Sequence, residues 1–371
     1  MFESKDGRDF SGFNIECRVR RGVGKMKKLA VRALAVWFIC VSMLFVIPAH
    51  ASKTQWKFAL EEITGSVQDE FAQFFKKKLM ERLSDVDIEI YPVGILGDSE
   101  EITEQTMNGV LQLAMASPGH LGTFIPVVRV FSLPFIWSDN MSVNRYVMEN
   151  SVAIYELMDR EYAKHNLKLL GIFPEGWQIW SSNKPLRKPE DFQNFRMRIM
   201  GDPLLAEIYN AYGGNAVQIP YPDLYSALQL KMVDGNIQPY FAHEEMKFYE
   251  QQDYLINPKE MPFIATFVTG LQWFESLPEE KKKIIVETAK ASIDFIFDAQ
   301  EEMNLKRRQK MLEMKPSLQF IDLTNEEREV FAKFSMRVRD TYIAMAKPHG
   351  QEILDTLLRE LKEAEAKILQ Q

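Results

Sequence analysis

The sequence predicts an α/β protein of two domains, on three observations. At 371 residues the chain exceeds what one core usually holds. Segments of strand period alternate with segments of helical period. That alternation runs through two successive units, each with its own turn and cap signals.

In the first unit TQWKFALEE, from Thr54, reads as a strand. Ser66 to Leu83 carries Val67, Phe71, Phe74, Phe75 and Leu79 at helical spacing. VDIEIYPV alternates as a strand does. Asp98 with Glu101 forms a capping box for the next helix, which stops at Gly109. LQLAMAS is a strand ending at Ser117, and FSLPFIW is a turn-bearing apolar segment.

The second unit opens with LKLLGIFP and GWQIWSS as strands, followed by a Pro-punctuated connection. FRMRIM is the next strand. Asp202 caps the helix behind it, with Pro203 at its first position and Leu204, Leu205, Ile208 and Tyr212 on its buried stripe. AVQIP is a strand, PDLYSALQL a helix, and VDGNIQPY a turn into a short strand. After Pro278 neither Gly nor Pro occurs up to Lys315. A helix of that length spans about 57 Å, so it bridges two domains or breaks once. Thr324 with Glu327 caps another helix, and the tail is amphipathic.

The front end differs. Lys25, Lys27, Lys28 and Arg32 precede an apolar run, Ala33 to Ile47, then Pro48 and Ala49-His50-Ala51. This is the build of an export signal cut after Ala51, with Met26 as the true start. Both cysteines, Cys17 and Cys40, fall in it, so the exported chain has neither disulfide nor thiol chemistry. Nine Lys/Arg and four Asp/Glu leave with it, which moves the net charge from −7 to −12. An acidic exported chain is a poor nucleic-acid binder.

Catalytic patterns are thin. Four histidines remain after cleavage: His120, His165, His243 and His349. His243-Glu244-Glu245 lacks the second histidine of a zinc helix and reads as a solvated helix turn. Paired carboxylates such as Glu61-Glu62 carry no signal by themselves. These patterns give no metal site, no cofactor and no enzyme.

A binding pattern is stronger. Arg198 ends a strand just before a helix N-terminus. Ligands of open α/β sheets bind outside the carboxyl ends of strands, and a helix N-terminus favours anions. The guanidinium fork holds a carboxylate with two parallel hydrogen bonds. The plainer alternative is a structural ion pair, and Arg196 on the same face competes for the ligand role.

Four collinear stretches resemble one family. They are YPVGILGDSEEITEQTMNGVLQLAMAS, FSLPFIW, DFQNFRMRIM and IPYPDLYSALQLKMVDGNIQP, the last continued by MKFYEQQDYL. Together they are similar to DctP-type solute-binding proteins of tripartite ATP-independent periplasmic (TRAP) transporters, over Ser52 to about Leu357. The resemblance implies a two-domain periplasmic-binding-protein fold, class II-like, with a cleft, hinge strands and a long helix over both domains. It divides the chain into residues 52–175 plus 264–303, residues 176–263 plus 304–357, and a helical tail, 358–371. It implies a monomeric receptor that hands an organic acid to the small and large membrane subunits of a permease driven by an ion gradient. The alternatives are the receptor of an ATP-driven importer or sensor, or a periplasmic lyase or hydrolase.

By position, Arg198 takes the family's carboxylate-binding arginine and Tyr221 a cleft aromatic. Ser117, at a strand end, could add a hydroxyl. Gln178 stands where the family often has a second arginine, and Gln238 where it has an asparagine. The missing positive charge points to a monocarboxylate rather than a dicarboxylate or a sialic-acid-like ligand. By strand alternation Trp180 shares a face with Gln178, which would add an aromatic wall.

Overall fold

The computed structural model describes residues 53–369. The expected export segment, its start at Met26 and its cleavage after Ala51 lie outside the described residues.

Eleven strands form two mixed sheets among the described residues. The first sheet has the order β2-β1-β3-β10-β4, from Val86–Tyr91, Thr54–Ala59, Leu113–Met115, Pro262–Gly270 and Leu167–Trp177. The second has the order β11-β9-β5-β8-β6-β7, from Gln319–Asp322, Tyr254–Asn257, Ile179–Ser182, Gly235–Gln238, Arg196–Ile199 and Asn215–Gln218. The first sheet's core is aromatic: Phe71 stacks on Phe173 at 4.7 Å and meets Phe267 edge-on at 5.1 Å. In the second half Trp180, Phe192, Tyr212 and Phe331 pack edge to face.

Two strand segments cross between the sheets side by side. β4 and β5 are separated by Gln178 alone, yet belong to different sheets. β9 and β10 return the chain, and the Gln178 N–H donates to the Met261 carbonyl at 3.0 Å where the two segments pass. The sequence reads GWQIWSS as one strand; the break at Gln178 is the crossing itself.

Helix Glu279–Met314 runs unbroken for 36 residues. It packs on helix Val67–Arg82 and β4 of the first half and on helix Tyr240–Glu245 of the second, so it bridges rather than breaks. The capping boxes at Asp98 and Thr324, and the Asp202 cap with Pro203 behind it, form as their residues predict. The division expected at 357/358 has no counterpart, because Gly350–Ile368 is one helix. It packs against helix Met141–Asn150 and its neighbours, between strands of the first sheet, and also touches helix Asn325–Met345. No helix among the described residues is long and apolar enough to cross a membrane.

Candidate functional site

β6 reaches the carboxyl edge of the second sheet with Arg198 facing inward. The side chain is fully buried. Its Nε donates to the Ile219 carbonyl at 2.8 Å, which fixes the plane of the guanidinium. The two terminal nitrogens have no partner. An unpaired buried charge is costly, which makes these two donors candidates for a ligand. Burial lowers the Arg198 pKa to about 10, so it stays charged at neutral pH.

Arg196 resolves the competition. It meets Asp234 with Nε at 3.0 Å and a terminal nitrogen at 2.7 Å. This half-exposed fork ties β6 to the turn before β8. The structural role falls to Arg196, and Arg198 is left with two free donors.

Those donors face a recess of about 30 Å³ whose walls include Arg198, Tyr221, Gln238, Ser117, Glu61 and Glu62. It adjoins an outer pocket of about 420 Å³ between the β2 to Glu100 segment and the turn after β7. Ser99, His120 and Tyr221 line both. The site thus draws on loops at the strand ends of both sheets, where such folds bind ligands.

Four of the six sequence-predicted residues therefore meet in one place: Arg198, Tyr221, Gln238 and Ser117. Ser117 is not a free hydroxyl. Its N–H and Oγ both engage Glu61, at 2.8 and 3.2 Å. Gln178 sits at the crossing, outside the cavity wall, with its side-chain oxygen buried and unpartnered.

Trp180 lies elsewhere. It is fully buried among Phe192, Tyr212 and Phe331, and its Nε1 donates to Glu260 at 3.1 Å. Alternation fails because β4 and β5 are two strands of two sheets, so positions 178 and 180 share no continuous face. The helix turn at His243-Glu244-Glu245 is also corrected. It is not solvated: His243 and Glu244 are buried, His243 bonds the Ile179 carbonyl, and Glu244 pairs with Arg307 and Lys310.

Sequence reasoning passed over the acidic side of the site. Glu61 and Glu62 come just after β1, at the carboxyl end of a first-sheet strand, as Arg198 lies near the carboxyl end of a second-sheet strand. The strand-end rule applied to β1 would have found them. Burial pushes the Glu61 carboxyl up to about 7, against the donors of Ser117. Glu62 is held well above the usual range by burial and by Glu175. Glu245 is raised to about 9 by burial and the charge of Glu62, and accepts the Tyr221 hydroxyl at 3.2 Å. Burial, reinforced by Arg198, holds His120 neutral with a pKa of about 4. Among the described residues no group of His, Cys, Asp or Glu is arranged to hold a metal ion.

A two-sheet fold with crossing strands, a cleft and a charged recess in it defines a solute receptor. Residues 58–345 match the family described as bacterial extracellular solute-binding protein, family 7 (DctP), and the chain belongs to that family. Its members of the TRAP type are receptors that bind small organic solutes and pair with TRAP membrane subunits. The chain is similar to the ectoine-binding periplasmic protein TeaA of Halomonas elongata, with 32% identity over 86% of this chain and 94% of that one. It is also similar to the ectoine/5-hydroxyectoine-binding periplasmic protein UehA of Ruegeria pomeroyi, at 30% over 84% and 91%. The TeaA structure superposes with a TM-score of 0.81, covering 84% of this chain and all of that one. An apo open TRAP periplasmic solute-binding protein from Marinobacter aquaeolei reaches 0.78 at 35% identity, over 82% of this chain and all of that one.

Proposed function

We propose that this chain is a periplasmic, monomeric TRAP receptor for a compact zwitterion of the ectoine class: one carboxylate beside a delocalised cation. The observation that carries the reading is the pairing of opposite demands in one recess. Arg198 offers two unpartnered donors, and Glu61 and Glu62 line the same walls. A carboxylate would take the Arg198 fork, and the cationic end would lie toward the glutamates. A dicarboxylate would set a second negative charge against buried carboxylates, which costs several kcal/mol in a site this dry. Gln238 and Tyr221 supply the remaining polar contacts of the wall. TeaA and UehA both carry ectoine in their names, which supports the same ligand class.

The test is calorimetry on the exported chain, residues 52–371, with ectoine, 5-hydroxyectoine, succinate and a neutral sugar. Micromolar binding, about −8 kcal/mol, is expected for the first two and none for the others. Tight succinate binding with no ectoine binding would overturn the reading.

A further inference from the structure

Behind the recess stand more buried carboxylates than the ligand reading uses. Glu175, on β4, is fully buried and does not line the cavity. One residue joins it to the wall: Gln68 gives its backbone N–H to Glu62 at 3.4 Å and its side-chain nitrogen to Glu175 Oε1 at 3.0 Å. The other Glu175 oxygen is buried with no partner, and so is one oxygen of Glu245.

None of the nearby cations forms an ion pair with these carboxylates. Arg307 and Lys310, on the long helix, both close on Glu244, and Arg307 also reaches the Gly65 carbonyl. Arg198 is held by Ile219 through Nε and keeps its two terminal donors for the ligand carboxylate. His120 is neutral. Asp69 accepts the Gly65 N–H, and Tyr221 donates to Glu245. Thus Glu61, Glu62, Glu175 and Glu245 converge from β1, β4 and helix Tyr240–Glu245 without a cation of their own. Two buried carboxylates held by the one residue Gln68, Glu62 and Glu175, repel each other when both are ionised, so they share a proton.

We infer that the Glu62–Glu175 pair, bridged by Gln68, holds a proton that the cationic end of the ligand expels, so that capture is coupled to proton release. This rests on the zwitterion reading above. In the step, one carboxyl O–H bond breaks, its electron pair stays on oxygen, and the proton passes to the buffer base. The ligand cation then neutralises the carboxylate the proton had neutralised. Burial and neighbouring carboxylates raise both carboxyls, Glu175 to about 7. Ligand affinity accordingly rises with pH until the free site has lost the proton by itself.

The experiment is calorimetry with ectoine in buffers of different ionisation heat, from pH 6 to 8.5, on the exported wild-type chain and Glu175→Gln. The wild type is expected to release close to one proton, with affinity rising up to about tenfold per pH unit. Glu175→Gln is expected to lose most of that release and slope, a comparison that cancels any titration of the ligand. No net proton exchange by the wild type, or the same exchange by the variant, overturns the inference. A second measurement needs no ligand. Infrared spectra of the ligand-free wild type minus those of Glu175→Gln at neutral pH should contain a protonated-carboxyl difference band that fades toward pH 9, since the other raised carboxyls, Glu61, Glu245 and Glu260, are common to both proteins. Absence of that difference band overturns the proton pair whatever ectoine does. A difference band with no ectoine binding supports the pair and overturns the ligand reading alone.

Discussion

Arg129 and Asp202 form a buried ion pair, with Arg129 Nε 2.8 Å from Asp202 Oδ1. Arg129 belongs to the 3-10 turn Pro126–Ser132, between strands of the first sheet. Asp202 caps the helix that follows the Arg198 strand in the second, accepting the Leu204 N–H at 2.8 Å with the same oxygen. The pair therefore ties the two halves together four residues from Arg198. Burial pushes the Asp202 carboxyl up and the Arg129 charge pulls it back.

Removing one member of such a pair leaves a buried charge uncompensated. Arg129→Met should cost about 3–5 kcal/mol in urea unfolding. The double variant Arg129→Met/Asp202→Asn should recover part of that loss, since no bare charge remains. Losses that simply add, the double variant equalling Arg129→Met plus Asp202→Asn, would show that the ion pair contributes nothing.

Arg198 carries the opposite prediction for stability. Its terminal nitrogens are buried and unpaired, so on the receptor reading proposed above it is a cost that ligand binding would offset. Arg198→Met should raise the unfolding free energy by about 1–3 kcal/mol and abolish ectoine binding. Arg198→Lys should not restore binding, because a point charge cannot reproduce the fork. A variant that lost both stability and binding would mark Arg198 as structural.

What the sequence disclosed and what it hid divide along one physical line. Local chemistry was legible. Asp98, Asp202 and Thr324 cap their helices because an N-cap is decided within four residues. Arg198, Tyr221, Gln238 and Ser117, picked out by strand ends and by the family resemblance, line one recess. Contacts over long sequence separation were not legible. Trp180 points to Glu260, 80 residues away, and Gln68 to Glu175, 107 residues away. Only the paired crossing of β4 and β10 brings those partners together, and no local period records a crossing. The Arg196–Asp234 fork is of the same kind: strand alternation put both arginines on one face, and only β8 decides between them.

Glu260 sets a pH dependence of stability. It accepts from Trp180 Nε1, Tyr209 and Tyr212 at 3.1, 3.1 and 2.6 Å, and burial still raises its carboxyl to about 7. Glu61 is raised likewise. A raised carboxyl binds its proton more tightly in the folded chain than in the unfolded one. Its contribution is therefore full below the unfolded value, about 4.3, and is lost as pH rises to about 7. Each tenfold gain in proton affinity on folding is worth about 1.4 kcal/mol. Urea unfolding should therefore give a free energy higher at pH 5 than at pH 8 by a few kcal/mol. Glu260→Gln should flatten that slope. Greater stability at pH 8 than at pH 5 would contradict the buried-carboxyl account.

The crossing offers a test through Gly176 and Asn304. Gly176 holds φ at +130°, where a side chain is strained, and a Cβ there would stand 2.7 Å from Asn304 Nδ2. Asn304 cannot yield freely. Its Nδ2 donates to the Glu175 carbonyl at 2.7 Å, and its Oδ1 accepts the Phe241 N–H at 3.1 Å. It thus pins β4, just before the crossing, to helix Tyr240–Glu245 of the second half. Gly176→Ala should cost about 2–4 kcal/mol, from backbone strain plus displaced hydrogen bonds. Asn304→Ala removes the same hydrogen bonds and the clash together. The double variant should therefore fall short of the summed losses by about 1 kcal/mol or more in a double-mutant cycle. Additive losses would mean that Gly176 is required for its backbone angle alone and that Asn304 does not hold the crossing.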